Sequence, residues 1–176
     1  MKKGICLVLL ILTIGCKKKT DKIVLEEKKE ENIEQIILTI NFNFKTSQPD
    51  VFKIMMNNIE VDELQKKNIH IFEEVVPSTS VDVIIAKFDA DNFSKNIVFH
   101  LGNKTPKEVE VESILVAYGK NRFNINSAQD LNKYFAFNKF IERDSTSKIL
   151  NTKRVDGKLN PTFRIKRNLI NLLKKE

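Results

Sequence analysis

In 176 residues the sequence has no tryptophan, two cysteines, two histidines, two tyrosines, five glycines and four prolines. Each scarcity excludes something. Both cysteines, Cys6 and Cys16, fall within the first sixteen residues. The rest of the chain therefore has no internal disulfide, cysteine zinc site, redox motif or cysteine nucleophile. Five glycines form no glycine-rich phosphate loop. His70 and His100 stand among apolar neighbours with no carboxylate or thiol at ligand spacing, so both read as surface or satisfied histidines rather than metal ligands. No Ser/His/Asp order stands out. Without tryptophan, a sugar would have to stack on one of the two tyrosines or twelve phenylalanines.

What the chain does have begins at its first residues. Lys2 and Lys3 precede an apolar run from Gly4 to Ile14, followed by Gly15, Cys16 and Lys17-Lys18-Lys19. The run is too short for a membrane-spanning helix, which needs roughly 20 residues. A basic start, a short apolar stretch and a small residue before a cut site are the parts of a secretory signal. Thr13-Ile14-Gly15-Cys16 resembles the lipobox of bacterial lipoproteins of the Bacteroidetes type, departing from it at Thr13, where leucine is usual. That resemblance implies that residues 1–15 are removed and that Cys16 carries diacylglycerol and an acyl (palmitate) chain. It also implies a lipid-anchored protein of the cell envelope. Lys17-Lys18-Lys19 does not match the acidic run that sends some such lipoproteins to the cell surface, which favours the outer membrane facing the periplasm.

Residues 16–34 read as the lipidated cysteine and a charged tether. From 17 to 34 there are six basic and six acidic side chains and few apolar ones, too few to fold alone. If flexible, the segment spans roughly 25 Å. The formal charge of +7 is unevenly placed: residues 35–138 hold eleven basic and thirteen acidic residues, whereas residues 139–176 hold eleven basic and four acidic. Such an end suits anionic headgroups or acidic glycans, or is simply a solvated basic surface. Nucleic acid is not an expected partner of an exported protein.

From Ile36 the pattern changes to period two. Ile36, Leu38, Ile40, Phe42 and Phe44 share one parity, and Thr39, Asn41 and Asn43 the other, as in a strand with one face in a core. Further strands are predicted over 51–56, 69–76, 81–88, 96–101, 109–118 and 122–125, with closing strands over 148–153 and 162–166. Turns are read at 47–50, at Gly102-Asn103, at Gly119-Lys120-Asn121 and at Asp156-Gly157. One internal helix is predicted from Ala128 to Phe137, capped by Ser127. Many short strands at close spacing predict a mainly β fold, an antiparallel jelly-roll-like β-sandwich with one short helix. The sandwich is assigned to residues 35–166. Residues 167–176 are assigned to a basic tail with Leu169, Leu172 and Leu173 at helical spacing.

Chemistry is sparse. Glu108, Glu110 and Glu112 alternate with valines, so their carboxylates line an open strand face rather than a cleft that would split their pKa values. Glu73-Glu74 makes no better case. Asp89-Ala90-Asp91-Asn92 begins like a calcium loop but lacks the closing glutamate, and reads as an Asx-rich turn. The most site-like group is Tyr118 beside the turn that carries Arg122.

The order of features is faintly similar to carbohydrate-binding-like β-sandwiches: the alternating opening strand, Val51-Phe52-Lys53, the stretch from Asn96 to Gly102, and the stretch from Pro106 to Gly119. This similarity bears on fold, not on function. The sequence thus leads to two expectations. One is a non-catalytic module, without cofactor, catalytic residue or metal, that binds a glycan or envelope polymer with Tyr118 and Arg122. The other is a structural or assembly protein that docks another envelope protein.

Overall fold

Strand β1 (Ile37–Thr46) carries the cleanest alternation in the sequence, and its even-numbered residues Leu38, Ile40, Phe42 and Phe44 are fully buried. The computed structural model describes residues 37–57, 68–89 and 96–175. The signal segment, Cys16, the tether, Ile36 and the Ala90-Asp91-Asn92 part of the Asx-rich turn lie outside the described residues. One compact unit spans Glu34–Glu176.

Ten further strands follow: β2 (Asp50–Asn57), β3 (Asn68–Val75), β4 (Asp82–Asp89), β5 (Asn96–His100), β6 (Glu108–Tyr118), β7 (Asn121–Ile125), β8 (Phe135–Phe137), β9 (Ile141–Glu142), β10 (Ile149–Thr152) and β11 (Thr162–Ile165). Two short helices complete the fold, α1 (Ala128–Tyr134) and α2 (Arg167–Leu173). One sheet has the order β4-β1-β6-β10-β9, with β7 on the far half of β6. The other has the order β3-β2-β5-β11-β8. Every pairing is antiparallel.

The connectivity explains this order. The β1–β2 segment passes from the first sheet to the second. The β3–β4 segment returns beside it, pairing first with β2 and then with β1. The β5–β6 segment lies along its other side, and the β10–β11 segment pairs with β6 and then with β5. Four chain segments crossing both sheets side by side give a jelly-roll-like sandwich, the arrangement expected from the sequence.

Between the sheets lies a phenylalanine-rich core. Phe42, Phe44, Phe52, Phe88, Phe99, Phe135 and Phe163 are each at most 1% exposed. Phe99 and Phe163 face each other in register on β5 and β11, with ring centroids 4.5 Å apart and nearly parallel. Phe42 and Phe135 meet Phe163 edge-on at 6.0 and 5.5 Å. Such pairs contribute about 0.5–1.5 kcal/mol each beyond the area they bury.

Two expectations need adjustment, and one element was not expected. The helix expected over 128–137 stops at Tyr134. Phe135 takes an extended conformation, φ −122° and ψ 148°, because Phe135 and Phe137 alternate on a strand paired with β11. Burying Phe135 against Phe99 outweighs one more helical turn. The basic tail, with its leucines at helical spacing, does contain a helix, but Ile170 rather than Leu172 joins Leu169 and Leu173 in the core. Helix α2 buries Leu169, Ile170 and Leu173, and the Asn121 side chain donates to the carbonyls of Leu173 (3.0 Å) and Lys175 (2.7 Å). Finally, β9 carries no alternation long enough to be read from sequence and exists only as a partner of β10.

The β6 strand changes parity midway. Val109 and Val111 point inward, and so do Ile114 and Val116, because the register with β1 shifts between Asn43 and Phe44. The extra residue is a bulge. It leaves Glu112 and Ser113 both outside, where Lys45 bonds Glu112 (2.7 Å) and Glu110 (3.2 Å).

Candidate functional site

The residues singled out from sequence do not converge. Tyr118 continues the inward parity of Ile114 and Val116 and packs against the core. Arg122 opposes Ala117, on the outward parity, and is exposed. The two therefore project to opposite faces of one hairpin and do not form a shared pocket. The Glu108/Glu110/Glu112 set lies on the open face of the first sheet, where Glu110 pairs with Lys45 and Glu112 with Lys45 and Lys148. His70 occupies β3 opposite Met55.

His100 is held as a neutral ring. The Gly102 N–H donates to its Nδ1 at 3.1 Å, so the ring proton sits on Nε2, which reaches Asn160 Oδ1 at 2.9 Å. Burial pushes its pKa below the ordinary 6.5, outweighing the bond to Asn160 that favours the charged form.

Next to it lies the most buried charge pair among the described residues. Asp50 and Lys107 meet at 2.7 Å with side chains 1% and 0% exposed. The 101–107 loop wraps the carboxylate. Val51 and Asn103 N–H groups donate to Oδ1, and the Lys104 N–H donates to Oδ2 at 2.9 Å. Lys107 Nζ also donates to the Leu101 carbonyl. Gly102 makes this possible. Its φ is +75°, and a Cβ there would lie 2.1 Å from Asp50 Cγ, so no other residue fits. Burial raises the Asp50 pKa, but Lys107 and the backbone donors more than offset it and hold the carboxyl below its ordinary 3.8. With every oxygen committed inward, the pair is a structural clasp and has no room for a substrate.

The clasp and His100 give the fold a defined acid response. Both groups bind protons more weakly folded than unfolded, so acid favours the unfolded chain. The His100 contribution is complete above pH about 6.5 and fades as pH falls below it. The Asp50 contribution is complete above pH about 3.8 and is lost as pH falls through its lower folded value. We expect urea midpoints to decline in two stages from pH 7.5 to pH 3, the first stage shrinking in His100→Gln. A midpoint that holds level down to pH 4.5 would contradict the first stage.

A concave feature lies elsewhere, on the outer face of the second sheet. A groove of about 440 Å³ runs over β5, β11 and β8, lined by Asn96, Val98, Ala136, Phe137, Asn138, Thr162, Phe163 and Arg164. Its floor is one cross-strand row, Val98, Arg164 and Ala136 in register. Asn138 closes the end of β8, donating to the Asn160 carbonyl and to Thr162 Oγ1, both at 2.7 Å. Arg164 is exposed and has no carboxylate partner among the described residues. The Phe137 ring is flanked by the Arg143 guanidinium at 4.9 Å and the Phe163 ring at 5.6 Å. Farther across the same face, Phe72 is 54% exposed beneath Lys53 Nζ at 5.0 Å.

Sequence reading missed this site. Arg164 stands out only as the single charge in Thr162-Phe163-Arg164-Ile165, and Asn96 and Val98 only as the outward set beside Ile97 and Phe99. Nothing local says that β5 and β11 are neighbours. Among the described residues there is no group of three or more His, Cys, Asp and Glu side chains able to hold a metal, and no helix long and apolar enough to cross a membrane. No protein-family model, no curated protein and no solved structure matches the chain.

Proposed function

We propose that this is a lipid-anchored, non-catalytic binding module of the bacterial cell envelope, and that it holds a glycan or envelope polymer on the outer face of its second sheet. The observation that carries this reading is the groove over β5, β11 and β8, with Asn96, Thr162 and Arg164 held on paired strands and Asn138 bonded at the end of β8. Polar groups fixed on a rigid sheet lose little freedom on binding, which favours recognition. The anchor rests on the lipobox resemblance, with diacylglycerol and an acyl chain on Cys16 holding the protein at the outer membrane. More than one acyl chain is needed for lasting attachment.

Two measurements test it. Mass spectrometry of the mature chain should find the lipid on Cys16. On a broad glycan and envelope-polymer array, binding should weaken in Arg164→Ala and Asn138→Ala and persist in Arg122→Ala. Binding that ignores the groove variants, or follows Arg122 alone, counts against this face.

A second reading, docking of another envelope protein, is favoured by one observation. Among the described residues strand β4 is an edge of the first sheet, with Val83 and Ile85 on it and Val81 just before it exposed at 48%, 53% and 47%. Exposed apolar edges are sites where a strand from another chain can add. Co-purification of an envelope protein that Ile85→Lys abolishes, without polymer binding, would favour it.

A further inference from the structure

We infer that the ligand of the β5–β11–β8 groove is an acidic glycan, a polysaccharide bearing carboxylate or sulfate groups, with Arg164 as its anchoring cation. This rests on the reading of that groove as the binding face. Three features of the groove point to the class of ligand. First, its lining contains one cation and no carboxylate, and Arg164 has no carboxylate partner among the described residues. A guanidinium presents paired donors that match a planar or tetrahedral oxyanion. Second, the groove lacks the usual means of holding a neutral sugar. Its one partly exposed ring, Phe137, is flanked by Arg143 on one side and Phe163 on the other, so it offers no open face for stacking. Third, the remaining polar side chains of the lining are two amides and a hydroxyl, Asn96, Asn138 and Thr162. Asn138 is fixed by three hydrogen bonds, which holds Thr162 Oγ1 as an acceptor and leaves the threonine O–H to donate.

Charge around the groove is complementary to such a ligand. The outward positions of the cross-strand row beside the floor carry Lys53, His100 and Thr162, with no acid among them. The basic excess of residues 139–176 thus reaches the groove through Arg164, while Lys148 and Lys153 are paired with Glu112 and Glu142.

The test uses the full chain in detergent and four probes in charge-matched pairs. Polygalacturonate is set against its fully methyl-esterified form, and dextran sulfate against dextran. The expected result is binding to polygalacturonate, dextran sulfate or both, and to neither neutral counterpart. The two charged probes separate carboxylate from sulfate as the recognised group. Arg164→Ala should weaken binding about tenfold to a hundredfold. Arg164→Lys, which keeps the charge but loses the fork, should fall between, with the melting temperature of both variants near that of the parent. Should Arg164→Ala melt early, Arg164→Lys alone carries the comparison. Equal binding to charged and neutral partners that still falls in Asn138→Ala overturns the acidic-glycan inference and leaves the groove reading standing. Binding to the charged probes that ignores both Arg164 variants and vanishes in moderate salt is diffuse attraction to the basic surface and also overturns it. Binding to none of the four overturns it, and the broad array then decides whether the face binds any polymer.

Discussion

Lys107→Met is expected to destabilise the domain by about 3–5 kcal/mol, the cost of leaving a buried charge uncompensated. Out of a total stability of about 5–15 kcal/mol, that lowers the melting temperature by about 10–20 °C. The size follows from the geometry rather than from counting one ion pair. Asp50 and Lys107 are almost wholly withdrawn from water at 2.7 Å, so the surviving carboxylate would have no solvent to replace the ammonium. Methionine keeps the stem that packs beneath the 101–107 loop, which isolates the charge from the volume. The backbone of Lys107 is separately tied to Thr152 at 2.7 and 2.8 Å and is untouched by the substitution. Asp50→Asn added to Lys107→Met should recover part of the loss, since it removes the orphaned charge while its one carbonyl oxygen still accepts from the N–H groups of Val51 and Asn103; the Lys104 N–H loses its acceptor, so the recovery is partial. Urea denaturation of residues 34–176 measures all three chains. A single variant near parent stability, or a double variant no better than the single, would mean the clasp is not what holds this end of the sandwich.

The sequence and the structure agree where information is local. Leu38, Ile40, Phe42 and Phe44 announce β1 because alternation and burial are the same fact seen twice. The strand over 109–118 reads as continuous in the sequence, and its bulge does not show in that reading: Glu112-Ser113, two polar residues in succession, separate the odd inward set Val109 and Val111 from the even set Ile114 and Val116. The Gly102 and Gly119 turns follow from a need for positive φ. What failed were contests between local and distant forces. Tyr134-Phe135-Ala136-Phe137 suits either a helical turn or a strand, and the choice depends on β11, more than two dozen residues away in sequence. The leucines of 167–176 read as a tail because their partners lie on elements far back in the chain. The candidate site was the least legible part. Tyr118 and Arg122 are four residues apart, but hairpin geometry sends them to opposite faces. Val98 and Arg164 are 66 residues apart, yet they are in register on adjacent strands. A site built across strands is written in the pairing, and pairing is not a local property.

Phe163→Ala tests whether the aromatic cluster is the second major support of the fold, and an expected loss of about 3–5 kcal/mol follows from removing a fully buried phenylalanine. The upper part of that range is the better expectation. Phe163 lies 4.5 Å from Phe99 in a near-parallel stack and meets Phe42, Phe135 and Phe137 within 6.0 Å. These rings come from β1, β5, β8 and β11, so neighbours held by two sheets cannot close the space without moving strands. Because Phe163 also underlies the groove, its loss should loosen the floor that carries Arg164. Phe72→Ala is the control. The same residue type, 54% exposed on β3, should cost less than about 1 kcal/mol, as surface substitutions do. Thermal melts of the two variants should therefore separate by roughly 10 °C or more. If they coincide, the cluster tolerates a void where its rings converge, and the sandwich is supported chiefly by its aliphatic half and by the Asp50–Lys107 clasp.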